Sequence, residues 1–155
     1  MKSTAPDPNY QSVSSPAVSI ITPTLNRRDL LREAIDSVCC QTADDWEHLI
    51  IDDGSSDGSR EMVEALSAAD SRIIWLPRKG EKNGANVCRN QGLRKSRGDY
   101  IVFLDSDDLL EPDCLERRVG VMRRNLDLDF AVFEGDVFEQ SVGDLNRTFS
   151  TNHSE

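Results

Sequence analysis

Apolar residues along this chain come in short unbroken runs, separated by stretches with a one-sided apolar pattern. Ala17-Val18-Ser19-Ile20-Ile21 is the first run, rich in β-branched side chains, which suit a pleated and packed backbone. Residues 46–51, 72–76, 100–104 and 130–133 repeat the pattern. Each run has the length of a strand and is too short for a buried helix. Thr22-Pro23-Thr24 is expected to end the first strand, because proline has no N–H to give a ladder. Residues 28–41 carry Leu30, Leu31, Ala34, Ile35 and Val38 at helical spacing, with Asn26 as the expected cap. Residues 59–69 place Met62, Val63, Ala65 and Leu66 on one side of a second helix. A third helix is expected over 86–97, closed by Gly98 as a left-handed C-cap. A fourth runs from Pro112, in its first turn, to about residue 125.

Strand and helix thus alternate from end to end. That order predicts an α/β fold, a Rossmann-like open and mostly parallel sheet with helices on both faces. Residues 1–16, rich in Ser and Pro, are expected to form a loose tail, and 17–155 one domain. The last twenty residues are polar and carry no clear pattern.

Composition narrows the function. Asp plus Glu number 28 against 18 Lys plus Arg, a net charge of −10. A general nucleic-acid binder needs the opposite sign, and no basic stripe with interleaved aromatics is present. No apolar run approaches the roughly 20 residues of a membrane span. Cys39, Cys40, Cys88 and Cys114 form no C-x-x-C pair, which fits a reducing compartment. Cys39 and Cys40 fall in the first helical pattern and are expected in the core. Asn146-Arg147-Thr148 matches a glycosylation sequon by chance, without a secretory signal. His48 is expected to be structural and His153 to lie in the tail; neither has a metal-binding partner at useful spacing.

One stretch has two chemical readings. Counted from Asp53, residues 53–64 read D-x-S-x-D-G-x-x-x-x-x-E, the outline of an EF-hand calcium loop. The approach, however, is the strand-like WEHLII, and the eighth position is Arg60. The better reading is a strand end, a turn and a helix start, with Asp57 at that start and Glu64 on the helix surface.

Ligands of open α/β sheets bind beyond the carboxyl ends of the strands. There the sequence places Thr22-Pro23-Thr24-Leu25-Asn26, Asp52-Asp53-Gly54-Ser55 and Asp105-Ser106-Asp107-Asp108. Five aspartates are therefore expected to converge on one rim, where a hard divalent cation, Mn2+ or Mg2+, would relieve their repulsion. The D-x-D of Asp105 and Asp107 is the sharpest signal. Asp52 and Asp108 read equally as caps or as members of the site. Asp57 and Asp113 read as turn residues.

Four segments, in order, carry a family likeness: VSIITPTLNR at 18–27, LIIDDGSSD at 49–57, GANVCRNQGLRKSRGDYIVFLDSDD at 84–108, and LLEPDCLE after it. The chain resembles the N-terminal half of an inverting family-2 glycosyltransferase with a GT-A fold, over residues 17 to about 135. The resemblance implies a nucleotide-sugar donor, a UDP-sugar, and a saccharide or lipid-linked saccharide acceptor. It implies that Thr22, Pro23, Thr24 and Asn26 border the nucleotide and that Asp53 accepts a hydrogen bond from uracil. Arg89 would lie by base or diphosphate; its other reading is a surface arginine. Asp105 would face the ribose and Asp107 the metal, with Ser106 between. Lys79, Lys82, Arg94 and Arg97 read as solvated surface. A general base for the acceptor is not identified, since Glu134 and Asp136 match the family base poorly. The implied location is cytoplasmic, at the inner face of a membrane when the acceptor is lipid-linked.

Two rivals remain. A receiver-like phosphoacceptor module also gathers aspartates around Mg2+, but it needs a Lys after its last strand, where this chain has Phe133-Glu134-Gly135. A donor-binding domain without transferase activity would keep the pocket and lack the base.

Overall fold

A computed structural model of the chain describes residues 15–138 and 145–149, and side chains through Gly135. The expected tail therefore lies almost wholly outside the described residues, as does His153. Two compact units divide the chain, Met1–Val119 and Gly120–Glu155.

The first unit holds a four-stranded, all-parallel sheet. Its strands are β1 (Val18–Thr24), β2 (Trp46–Asp52), β3 (Ile73–Pro77) and β4 (Tyr100–Phe103), in the order β3-β2-β1-β4. The helices are α1 (Arg28–Cys39), α2 (Ser59–Ala69), α3 (Ala85–Lys95) and α4 (Cys114–Arg124). Side-chain alternation along β1 and β2 assigns them to faces. Val18, Ile20, Trp46 and Ile50 pack with Leu31, Ala34, Ile35 and Val38 of α1, Val63 of α2 and Leu115 of α4. Ile21, Leu49 and Ile51 pack with Cys88 of α3 on the other face. Every residue of β1 and β2 is buried.

Several sequence expectations need correction. Pro23 does not end β1: the strand runs on to Thr24, and Pro23 pairs with Ile51 of β2. Ala17 and Ile21 give their carbonyls to Tyr100 and Leu104, on the β4 side. Pro23, two residues on, has its missing N–H on that same side, past the last β4 pair, Ile21 with Phe103. β4 is an edge strand, with Phe103 half exposed. No strand forms over 130–133. The second unit instead pairs β5 (Gly135–Phe138) antiparallel with β6 (Leu145–Phe149), and the formal sequon lies on β6.

Cys39 and Cys40 are exposed, because the buried stripe of α1 is Leu31, Ala34, Ile35 and Val38, and position 39 turns off that stripe. Gly98 is not a C-cap; α3 ends at Lys95 with an extended Ser96. A Cβ at Gly98 would stand 2.5 Å from the Ser19 amide nitrogen, so glycine there permits close approach to β1. Gly92 does the same for α3: its Cβ would come 2.5 Å from Ile21 Cγ2 and 2.9 Å from Ile51 Cδ1.

Two buried polar groups organise the sheet. Glu47 Oε1 accepts from Ser19 Oγ at 2.6 Å and from the Arg97 amide at 2.7 Å, and Arg97 Nε donates to Oε2 at 2.8 Å. Arg97 is thus not mere solvated surface; it neutralises a buried carboxylate at the entry to β4. His48 is wholly buried in β2 beside Thr22, with Nε2 2.8 Å from Thr22 Oγ1, and Nδ1 has no partner among the described residues.

Desolvation pushes the His48 imidazole down to about 3, so the folded protein keeps it neutral. The unfolded chain protonates it near its ordinary value, 6.5. Its stabilising contribution is complete above pH 6.5 and is lost as the pH falls toward 3, by up to about 1.4 kcal/mol per pH unit. Chemical denaturation of His48→Leu between pH 6.5 and pH 4 should show a shallower loss of stability than the parent chain. Equal slopes would refute the assignment.

Candidate functional site

A cavity of roughly 430 Å3 opens beyond the carboxyl ends of β1 and β4. Its walls are Pro23, Thr24, Leu25 and Arg27 after β1, Asp53 after β2, Asp105, Ser106 and Asp107 after β4, and Gly84, Ala85, Cys88 and Arg89 at the start of α3. Parallel pairing makes this possible. Every strand carries its carboxyl end to the same edge, and at β1 the strand order reverses, which leaves a crevice there.

The aspartates of the cavity do not face one another. Each meets an arginine. Asp53 accepts from Arg78 Nε on Oδ1 and from the Gly84 amide on Oδ2, the latter at 2.8 Å. Asp105 accepts from Arg89 Nη2 at 2.5 Å, and Arg89 Nη1 also donates to Asn86 Oδ1 at 3.0 Å. Asp107 accepts from Arg27 Nη1 at 2.5 Å. The expected convergence of five aspartates is therefore corrected to three on the wall, each balanced separately. Asp52 turns back to Ser55, accepting from its amide at 3.0 Å, and Asp108 does not line the cavity. The Asp108 carboxyl is pushed up by desolvation, with the charges of Asp105 and Asp107 adding to it. Among the described residues no three His, Cys, Asp or Glu side chains stand close enough to hold a cation together.

The other expected site residues divide. Pro23, Thr24 and Ser106 line the cavity, and Thr24 Oγ1 is buried with no hydrogen-bond partner among the described residues. Thr22 does not line it, since its hydroxyl is engaged with His48. Asn26 does not cap α1 and does not line the cavity. Its backbone is left-handed, with φ 52°. Its amide donates to Ser55 Oγ at 2.9 Å, and its Oδ1 accepts from the Ser56 amide at 2.8 Å. It ties the turn after β1 to the turn after β2. The cap of α1 comes from Asp57, whose Oδ2 accepts from the Arg28 amide at 2.9 Å and whose Oδ1 accepts from the Ser59 amide at 3.0 Å. Asp57 thus serves the starts of α1 and α2 together. Its hydrogen bond from the Ser59 hydroxyl leads in holding its carboxyl below the ordinary value.

The calcium-loop reading fails on the same geometry. Asp53 goes to Arg78, Asp57 to the two helix starts and Glu64 to Arg60. Burial first, and then the charge of Asp53, push the Cys88 thiol up.

Sequence reasoning missed Arg27 and Arg78. Arg78 is the stronger omission, with its side chain 20% exposed and its Asp53 partner's 10%. It also donates to the carbonyls of Gly80 at 2.5 Å and Lys82 at 2.8 Å. One guanidinium thus gathers the turn after β3 around Asp53. The signal was a charged residue directly after an apolar strand.

Comparison with known proteins gives the family. A family model described as Glycosyl transferase family 2 matches residues 19–149. The chain belongs to that family. A curated relative, the GalNAc(5)-diNAcBac-PP-undecaprenol beta-1,3-glucosyltransferase of Campylobacter jejuni, is 33% identical over 135 residues, 87% of this chain and 42% of the relative. The chain thus spans less than half of that relative's length. Among solved structures, S. aureus TarS 1–349 in complex with UDP-GlcNAc superposes with a TM-score of 0.62 at 25% identity, over 70% of this chain and 32% of that one. The mannosyltransferase PcManGT from Pyrobaculum calidifontis, in complex with GDP-Man and Mn2+, superposes at 0.54 with 29% identity, over 68% and 30%. The fold is the GT-A α/β fold of these glycosyltransferases.

Breaking a charged, mostly buried hydrogen bond costs roughly 1.5–3 kcal/mol. Arg78→Ala should therefore raise amide exchange at Gly84 and across 78–84 by about tenfold or more. Exchange unchanged there would mean that Arg78 does not hold the loop.

Proposed function

We propose that this chain is the donor-binding half of an inverting glycosyltransferase. It holds a nucleoside-diphosphate sugar, with UDP as the nucleotide, for transfer to a hydroxyl of a saccharide or lipid-linked saccharide. One observation carries the reading: three aspartates and two arginines line a single crevice beyond the strand ends of a family-2 glycosyltransferase chain.

Each wall residue has a place in it. Asp53 is fixed on both oxygens and mostly buried, so it can accept a base N–H without reorganising. Thr24 lines the crevice beside it. Pro23 supplies an apolar edge. In this reading Arg89 brings positive charge toward the diphosphate, and Asp105 accepts from a ribose hydroxyl. Asn26 ties the turn after β1 to the turn after β2, and Thr22 is held against His48.

The residues also fit a divalent cation, Mn2+ or Mg2+. Asp105 and Asp107 are half-exposed carboxylates on one loop of the cavity wall, and hard cations take oxygen ligands, completing their shell with substrate oxygens and water. Such an ion, when bound, stabilises charge developing on the departing diphosphate. The general base that takes the acceptor proton belongs, in this reading, to the length of the relatives that this chain does not span. With a lipid-linked acceptor the enzyme would work at the inner, cytoplasmic face of a membrane. No helix among the described residues is long and apolar enough to cross one.

Calorimetric titration of UDP with Mn2+ present should give binding that weakens at least tenfold in EDTA and in Asp107→Ala. Asp53→Ala should weaken it by about the same factor, and Glu64→Ala should leave it unchanged. No UDP binding by a folded chain in either condition would overturn the reading. Binding without transfer, when acceptors are supplied, would identify a donor half that acts only within a longer protein.

A further inference from the structure

Arg27 and Asp107 lie 80 residues apart and meet at the mouth of the cavity. Arg27 sits in the turn between β1 and α1, at the helix N-cap position. Asp107 follows β4 on a loop that packs three carboxylates, Asp105, Asp107 and Asp108, into four positions. Arg89 answers Asp105 from α3, and Arg27 answers Asp107 from the opposite wall. The Arg27 and Asp107 side chains are 47% and 45% exposed, so the pair is accessible and can part. A cation seated on Asp107 would lie against the guanidinium, and like charges at that distance repel. The arginine would have to leave. Tethered at the same mouth, it would then be a free cation with five donors, in a form that suits phosphate oxygens.

We propose that Arg27 is a resident counter-ion that exchanges Asp107 for the donor diphosphate when a divalent cation enters, so that cation and donor bind cooperatively. The proposal rests on the reading of Asp107 as a cation ligand. Coupling of this kind is reciprocal: whatever factor the cation adds to nucleotide affinity, the nucleotide adds to cation affinity. In the free protein the arginine balances Asp107 and keeps affinity for the bare cation low. With donor present the same side chain works in favour of the complex.

Removing the guanidinium should therefore have effects of opposite sign on the two ligands. Titration of the chain with Mn2+ alone, followed by the loss of the free Mn2+ paramagnetic resonance signal, should show Arg27→Gln binding about two- to fivefold more tightly than the parent, the scale of an exposed ion pair. Calorimetry of UDP at saturating Mn2+ should show the same variant about tenfold weaker. Arg27→Lys keeps the charge and should hold Mn2+-only affinity near the parent value. Because both side chains are half exposed, the variants should melt within about 2 °C of the parent.

If the parent binds both ligands but Arg27→Gln weakens both, or changes neither, the exchange is overturned and the site stands. If the parent takes up no Mn2+ even with UDP present, the reading of Asp107 falls, and the exchange with it.

Discussion

The placement of β1 between β2 and β4 constrains everything else in the first unit. A central strand of a parallel sheet covered by helices is buried on both faces, and every residue of β1 is buried. It must also carry its carboxyl end to the same edge as its neighbours. The chain reaches β4 only by crossing back over the sheet, which sets the β1 and β4 turns apart and opens the crevice. The cavity is thus a consequence of strand order, present whatever residues line it. The residues on its wall decide what it can bind.

Those residues are set by a second constraint, charge. The chain carries −10 overall and puts three carboxylates on one concave wall. Left alone, they would repel one another and any diphosphate. The fold answers with three arginines from two turns and a helix: Arg27 after β1, Arg78 after β3 and Arg89 from α3. The pairs differ in character. Arg78 is mostly buried and also bonded to two loop carbonyls, so it belongs to the permanent structure. Arg27 is half exposed, with Asp107 its one side-chain partner among the described residues, so it can exchange.

Much of this was legible in the sequence, for a physical reason. Strand cores and helix stripes are written in local periodicity, so β1 to β4 and α1 to α4 were found with errors at their ends. The D-x-D and Asp53 were legible because they follow short apolar runs, and Arg89 only through the family resemblance. What failed depended on partners distant in sequence. Pro23 stayed in its strand because its bare side falls past the end of β4. The expected strand at 130–133 had the right composition but no partner. Asn26 looked like a cap, yet its side chain reaches Ser56 while Asp57 does the capping. Five aspartates at strand ends implied a common focus, and only coordinates show that arginines, equally ordinary in sequence, hold them apart. Arg97 was misplaced for the same reason, since its carboxylate partner lies 50 residues away.

Gly92 carries the last consequence. It lies on α3 one turn beyond Arg89, and its bare Cα lets the helix settle onto Ile21 and Ile51. It touches no part of the cavity. Still, it fixes how deep α3 rests, and with that the height from which Arg89 reaches across to Asp105. A methyl group at this position would act as a shim beneath the helix, and the charge balance on the far wall would change without any charged residue having been replaced.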